Sequence, residues 1–159
     1  MTTQSVCIKL KRKEATRPLC KGCKPGLIRQ GYKNIEEWMS DPKNKYTGRR
    51  GRIFITSKNS KKIFHYKDSK WKNPFKVGTK KGEYTLKQSL ILYVLYLFDS
   101  GLINDLEELR GYNLGCFCSK HVSESGEPLC HAHVLEQLLN KCNHLIKRDT
   151  RSKSKVTFV

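Results

Sequence analysis

Acidic residues are scarce in this chain of 159 residues: 14 Asp and Glu stand against 32 Lys and Arg, for a formal net charge of +18. A surface so short of acid repels itself and attracts polyanions, which makes nucleic acid the expected partner. The same shortage leaves few carboxylates to act as general bases. The sequence offers no paired carboxylate, no phosphate-cradling glycine loop and no recognisable catalytic triad. Long apolar runs are missing too. The longest, Leu90 to Phe98, is far short of the ~20 residues that span a bilayer. Met1 to Arg17 is polar and basic with no apolar leader, so a soluble, intracellular protein is expected. Without a secretory leader, the seven cysteines point to metal and spare thiols, and the odd count argues against a closed disulfide framework.

What is present concentrates in Leu109 to Leu135, which holds three of the seven cysteines and three of the five histidines. The alternating run Tyr112 to Cys118 reads as a short strand delivering Cys116 and Cys118 to the same side. Beyond the polar loop Ser119 to Pro128, the spacing of Leu135, Leu138, Leu139, Cys142, Leu145 and Ile146 predicts a helix with one buried face. His131 extends that face by one turn. Cys130 and His131 therefore open a helix beside a strand end, where backbone N–H groups converge, a placement that suits a metal, an anion or a reactive thiolate. Earlier in the chain, Cys20 and Cys23 have the Cys-x-x-Cys spacing of a zinc knuckle, with Gly22 easing the turn. The expected cofactor is zinc, held by Cys20, Cys23, Cys118 and Cys130, with Cys116 and His131 as substitutes. A self-contained set of Cys116, Cys118, Cys130 and His131 is the variant.

The remaining elements follow in order. Val6 to Leu10 reads as a first strand, with Cys7 a packed thiol. Asn34 and Glu37 form a capping pair for a short helix that Asp41-Pro42 stops, with Trp38 as its core anchor. Between Lys43 and Lys81 there are fourteen Lys or Arg and one acid, Asp68. Inside that segment, Arg52 to Thr56 and Lys62 to Tyr66 predict a hairpin. Its cations, interleaved with Tyr46, Phe54, Phe64, Tyr66, Trp71 and Phe75, are what a strand-based nucleic-acid surface requires: charge for phosphates and rings for bases. The opposing possibility is that the rings form the hairpin's inner face and the lysines its solvated outer face. Expected phosphate contacts are Arg49, Arg50, Arg52, Lys61, Lys62, Lys70 and Lys72. Trp71, Asn73 and Phe75 form a turn anchored by its aromatics, a candidate pocket wall. Thr85 and Gln88 make a capping box for a helix through Phe98, apolar almost all round and expected at the centre of the fold. Asn104 to Arg110 reads as a second short helix.

Tyr46-x-Gly48-Arg49, the stretch SKWKNPF from Ser69 to Phe75, LRGYNLGCFC from Leu109 to Cys118, and Cys130-His131-x-x-Val134-Leu135 together resemble the family called domain of unknown function 4326. The likeness is greatest to versions from giant DNA viruses that carry an added Cys-x-x-Cys segment. The resemblance implies a small α/β domain with members in phages, bacteria and large viruses and, if the protein is viral, a place in the virion or in the host cytoplasm or nucleus; it implies no particular activity.

The expected architecture is a single α/β domain over 1–146, with a short sheet, a β-hairpin and packed helices, an insertion over 11–45 carrying the zinc knuckle, and a basic tail over 147–159. The expected function is nucleic-acid binding, DNA included, mainly through phosphates and without strong sequence preference, on a zinc-stabilised scaffold. The alternative is a nucleotide-processing enzyme using Cys130 and His131, with Arg49, Trp71 and Asn73 lining its pocket.

Overall fold

The computed structural model describes residues 2–8, 26–57, 60–118 and 123–141. The knuckle cysteines Cys20 and Cys23, together with Cys142 and the basic tail, lie outside the described residues.

A three-stranded parallel sheet organises the domain. Strand β1 (Gln4–Cys7) and strand β2 (Asn44–Tyr46) flank strand β5 (Asn113–Cys116). The register is fixed at the sheet's first row by side chains: Gln4 Nε2 donates to Asn113 Oδ1 at 2.6 Å, and Asn113 Nδ2 donates to Asn44 Oδ1 at 2.8 Å. A slip of one residue would break this amide ladder and turn every side chain to the wrong face.

Parallel strands need cover on both faces, and the sheet has it. Leu114 and Cys116 point to one face, into a core with Trp71, Leu90, Tyr93, Leu97, Leu106, Leu109, Cys130, Leu135 and Leu139. Trp71 comes from the turn before helix α2 (Leu86–Asp99) and Cys130 from the residue before helix α3, described over 131–141; the others come from these helices and the 3-10 segment Leu102–Leu109. Gly115 points to the other face, against Trp38 of helix α1 (Ile35–Ser40), where Val6, Ile8, Leu27 and Ile35 are also buried. The result is an α/β domain, as expected. Residues 44 and 45, within the segment expected as an insertion, are part of a sheet strand.

The hairpin forms from strands β3 (Gly51–Ser57) and β4 (Ser60–Tyr66), paired antiparallel with Phe54 opposite Ile63. Ile53, Phe64 and Tyr66 pack against the second core. Both predicted helix starts are built as expected. Asn34 Oδ1 accepts from Glu37 N at 2.9 Å, and Thr85 and Gln88 form a reciprocal capping box.

Helix α2 differs from expectation in one respect. It buries Ser89, Leu90, Tyr93 and Leu97, but Ile91, Leu95 and Phe98 are each more than half exposed. The helix lies on the sheet by one stripe only, so it is an outer-layer helix and not the centre of the fold. No described helix is long and apolar enough to cross a membrane by itself.

Candidate metal centre and basic surface

The three strands run in the same direction, so their C-terminal ends meet at one edge, the edge where open α/β sheets place their sites. Cys116 closes β5. Phe117 turns into the second core, and Cys118 returns to the side of Cys116. The alternation read in Cys-x-Cys thus persists two residues beyond the strand. Cys130 arrives at the same edge from the start of α3. Its carbonyl accepts from His133 N and Val134 N, which makes it the helix's N-cap.

The sulfurs of Cys116, Cys118 and Cys130 all lie within 4.8 Å of one another. Zn–S bonds of ~2.3 Å at tetrahedral angles would set sulfurs about 3.8 Å apart; Cys116 Sγ and Cys130 Sγ are 3.0 Å apart, so these two would have to spread to admit an ion. Two further features fit thiolates. Cys118 N donates to Cys116 Sγ at 3.4 Å, and Ala132 N donates to Cys130 Sγ at 3.3 Å. In each case the amide two residues after the cysteine is aimed at its sulfur. Burial pushes the thiols of Cys116 and Cys130 up. Cys118 is held well below the ordinary thiol range, chiefly by hydrogen bonds from Cys116 and Cys130.

His131, the first residue of α3, lies beside Cys118, outside the group of three sulfurs. Its Nε2 lies 2.8 Å from the carbonyl oxygen of Thr47, at the exit of β2. A carbonyl only accepts, so Nε2 carries the proton and a neutral ring keeps its lone pair on Nδ1. A ligating histidine is oriented in this manner, with its other nitrogen bound to a backbone carbonyl. Thr47 is itself fixed: its N and Oγ1 both donate to Gly115 O, at 3.0 Å each. The structure thus brings Cys116, Cys118 and Cys130 together, with His131 beside Cys118 and held by the exit of β2.

The residues expected to line a pocket are built into a brace. Trp71 is fully buried and donates through Nε1 to Glu108 Oε1 at 2.9 Å. Asn73 Nδ2 donates to Ser89 Oγ at 3.0 Å, and its Oδ1 accepts from Phe75 N at 2.8 Å. Arg49 donates to Asn73 O through Nε (2.9 Å) and Nη2 (2.6 Å). Phe75 packs edge-on against Tyr84 and Tyr96. This brace ties the exit of β2 to α2, and Trp71 offers no open ring face to a ligand. Gly48 belongs to the same corner, where a Cβ would run into the ring of Tyr46. Only the glycine in Tyr-x-Gly-Arg hinted at so close an approach.

Apart from Arg49, held in the brace, the candidate phosphate contacts separate into two groups. Lys62 pairs with Glu36 at 2.6 Å, Lys70 with Glu108 at 2.7 Å and Asp105 at 3.1 Å, and Lys72 with Asp68 at 2.6 Å. These ends are partly exposed, so the pairs are weak, yet they soften the local charge. Arg50, Arg52 and Lys61 are exposed and make no ion pair among the described residues. One tie outside the cluster was not foreseen. Glu136 Oε2 accepts from Ser5 N (2.9 Å), Ser5 Oγ (2.7 Å) and His133 Nδ1 (3.0 Å).

Fold and site together define a small parallel α/β domain with a cysteine triad at the carboxyl edge of its sheet. The model of the family described as "Domain of unknown function (DUF4326)" matches residues 32–141, more than half of the chain, and the chain belongs to that family. It is similar to "Uncharacterized protein R718" of Acanthamoeba polyphaga mimivirus, with 35% identity over 72 residues, 45% of this chain and 53% of that one. The match therefore spans about half the length of the viral relative. No solved structure matches the chain.

Proposed function

We propose that this chain is a zinc-stapled nucleic-acid-binding domain that engages phosphates without strong sequence preference. The observation that carries the binding role is the distribution of charge. Fourteen cations against one acid fall between residues 43 and 81, and the exposed hairpin of the domain lies within that stretch. Its strands show Arg52 and Lys61 to solvent, beside Arg50. Strands of this kind can follow a phosphate backbone, and no described helix offers a set of base-reading side chains.

The cysteine cluster supports a structural metal. Three thiols and an imidazole are the soft, borderline donor set that zinc prefers. Cys116, Cys118, Cys130 and His131 would hold the ion, whose contribution would be to neutralise the thiolates and fasten α3 to the sheet. The enzymatic alternative has less behind it. Cys130 is 1% exposed with its thiol pushed up by burial, and His131 is engaged with Thr47, so neither is presented as an attacking group.

Two measurements on the full chain test this reading. Affinity for a labelled oligonucleotide should fall steeply and linearly on a log–log plot against salt; affinity unchanged in high salt would defeat the phosphate account. Native mass spectrometry should find one zinc per chain, retained in Cys20→Ser/Cys23→Ser and lost in Cys118→Ser/Cys130→Ser. Loss of metal in the first variant would transfer the site to the knuckle.

A further inference from the structure

We propose that the outer face of the β3–β4 hairpin is a stacking platform for single-stranded nucleic acid, an inference that rests on the nucleic-acid reading above. The register sets three cross-strand pairs on this face: Arg52 opposite His65, Phe54 opposite Ile63, and Thr56 opposite Lys61. All six side chains are exposed. The central pair is apolar, with Phe54 70% and Ile63 49% exposed. A phenyl ring that open to water, at the middle of a ribbon, gains from any flat apolar partner laid across it.

The surroundings select the partner. No Asp or Glu occurs from Gly51 to Lys67, so the ring is bordered by Arg52 and Lys61 with nothing to offset them on their own strands. An apolar protein patch would have to leave these cations facing it, whereas a nucleic-acid strand brings a phosphate for each cation and a base for the ring. The duplex is excluded by the same geometry. Its base faces are stacked on one another and only its phosphates and groove edges are accessible, so it could satisfy the cations but not cover Phe54.

The hairpin is also held firmly enough to present this face. On its inner side Tyr66 packs against Tyr46 with ring centroids 5.4 Å apart and against Phe117 at 5.8 Å, and Ile53 and Phe64 join the second core. The two faces thus divide the aromatics by strand parity, with the inner ones used for packing and Phe54 left over.

Fluorescence anisotropy of the full chain with a labelled oligothymidine, and with a hairpin duplex of equal phosphate count, tests the platform. Phe54→Ala should weaken oligothymidine binding about tenfold or more, change duplex binding less than about twofold, and leave the salt slope and melting temperature as they were. In Phe54→Trp the new indole is the exposed one, because Trp38 and Trp71 are fully buried, and its emission should be quenched by bound oligothymidine. A Phe54→Ala protein that binds oligothymidine as tightly as the parent, or a Phe54→Trp protein whose emission is indifferent to saturation, overturns the platform while leaving phosphate binding in place. A parent chain that binds neither oligonucleotide at low salt overturns the nucleic-acid reading itself, and the platform with it.

Discussion

At Gly115 the sheet admits no side chain larger than hydrogen. A Cβ there would overlap the indole of Trp38, and both residues are locked in place, Gly115 by two strand partners and Trp38 by a bond from Nε1 to Gln30 Oε1 at 3.2 Å. Gly115→Ala should therefore destabilise the domain by about 2 kcal/mol, the usual cost of overpacking. A thermal melt of the variant reads the loss directly, and an unchanged midpoint would mean that α1 can retreat from the sheet at little expense. The sequence marks Gly115 only as a glycine inside a strand, a sign of close approach with no indication of what approaches. Trp38 was legible as an anchor because it follows a capped helix start. The site residues were legible in the same partial way: Cys-x-Cys and Cys-His gave the donors, since two-residue alternation and a helix start are local properties. The support of His131 by Thr47 lies 84 positions away along the chain, and no local pattern carries it.

Between elements, the carboxylate of Glu136 links β1 to α3. Glu136 collects two bonds from Ser5 and one from His133 on one oxygen. Burial works to raise its pKa, but the bonds from His133 and Ser5 outweigh that effect and hold it below the ordinary value of 4.5. A carboxyl with a depressed folded-state pKa contributes stability that is fully present above its unfolded value and is drained as the pH falls through the folded one. The parent should thus lose stability from about pH 4.5 downward, and Glu136→Gln should flatten that part of the profile while lowering stability at neutral pH by about 1–2 kcal/mol. Denaturant titrations at a series of pH values measure both; parallel profiles for the two proteins would remove Glu136 from the acid response. Among the elements themselves, the capped helices and the hairpin were readable because their signals sit within a few residues. The open face of α2 was not. An apolar run looks the same whether one stripe or every side is covered, and only the assembled layers show that Ile91, Leu95 and Phe98 are left outside.

For the molecule as a whole, the cysteine cluster sits where three parts meet: the end of β5, the start of α3 and, through His131, the exit of β2. A metal bound there would tie the layer containing α3 to the sheet. Chelation should accordingly lower the melting temperature of the entire domain in one cooperative step, and readdition of zinc should restore it. A melting curve indifferent to chelator would separate the cluster from stability. The order β1-β5-β2 was beyond sequence reasoning, since parallel neighbours are joined by pairing between distant segments and leave no short-range trace.

That order also dictates when the protein can fold. Gln4 meets Asn113 across 109 positions, and among the described residues β2 pairs only with β5. During synthesis both outer strands leave the ribosome long before the strand that unites them. Closing loops of this length is slow and precedes any reward from packing. The nascent chain must therefore carry two unpaired strands until β5 has emerged, and more than a hundred residues have to be kept from aggregating before the domain exists at all.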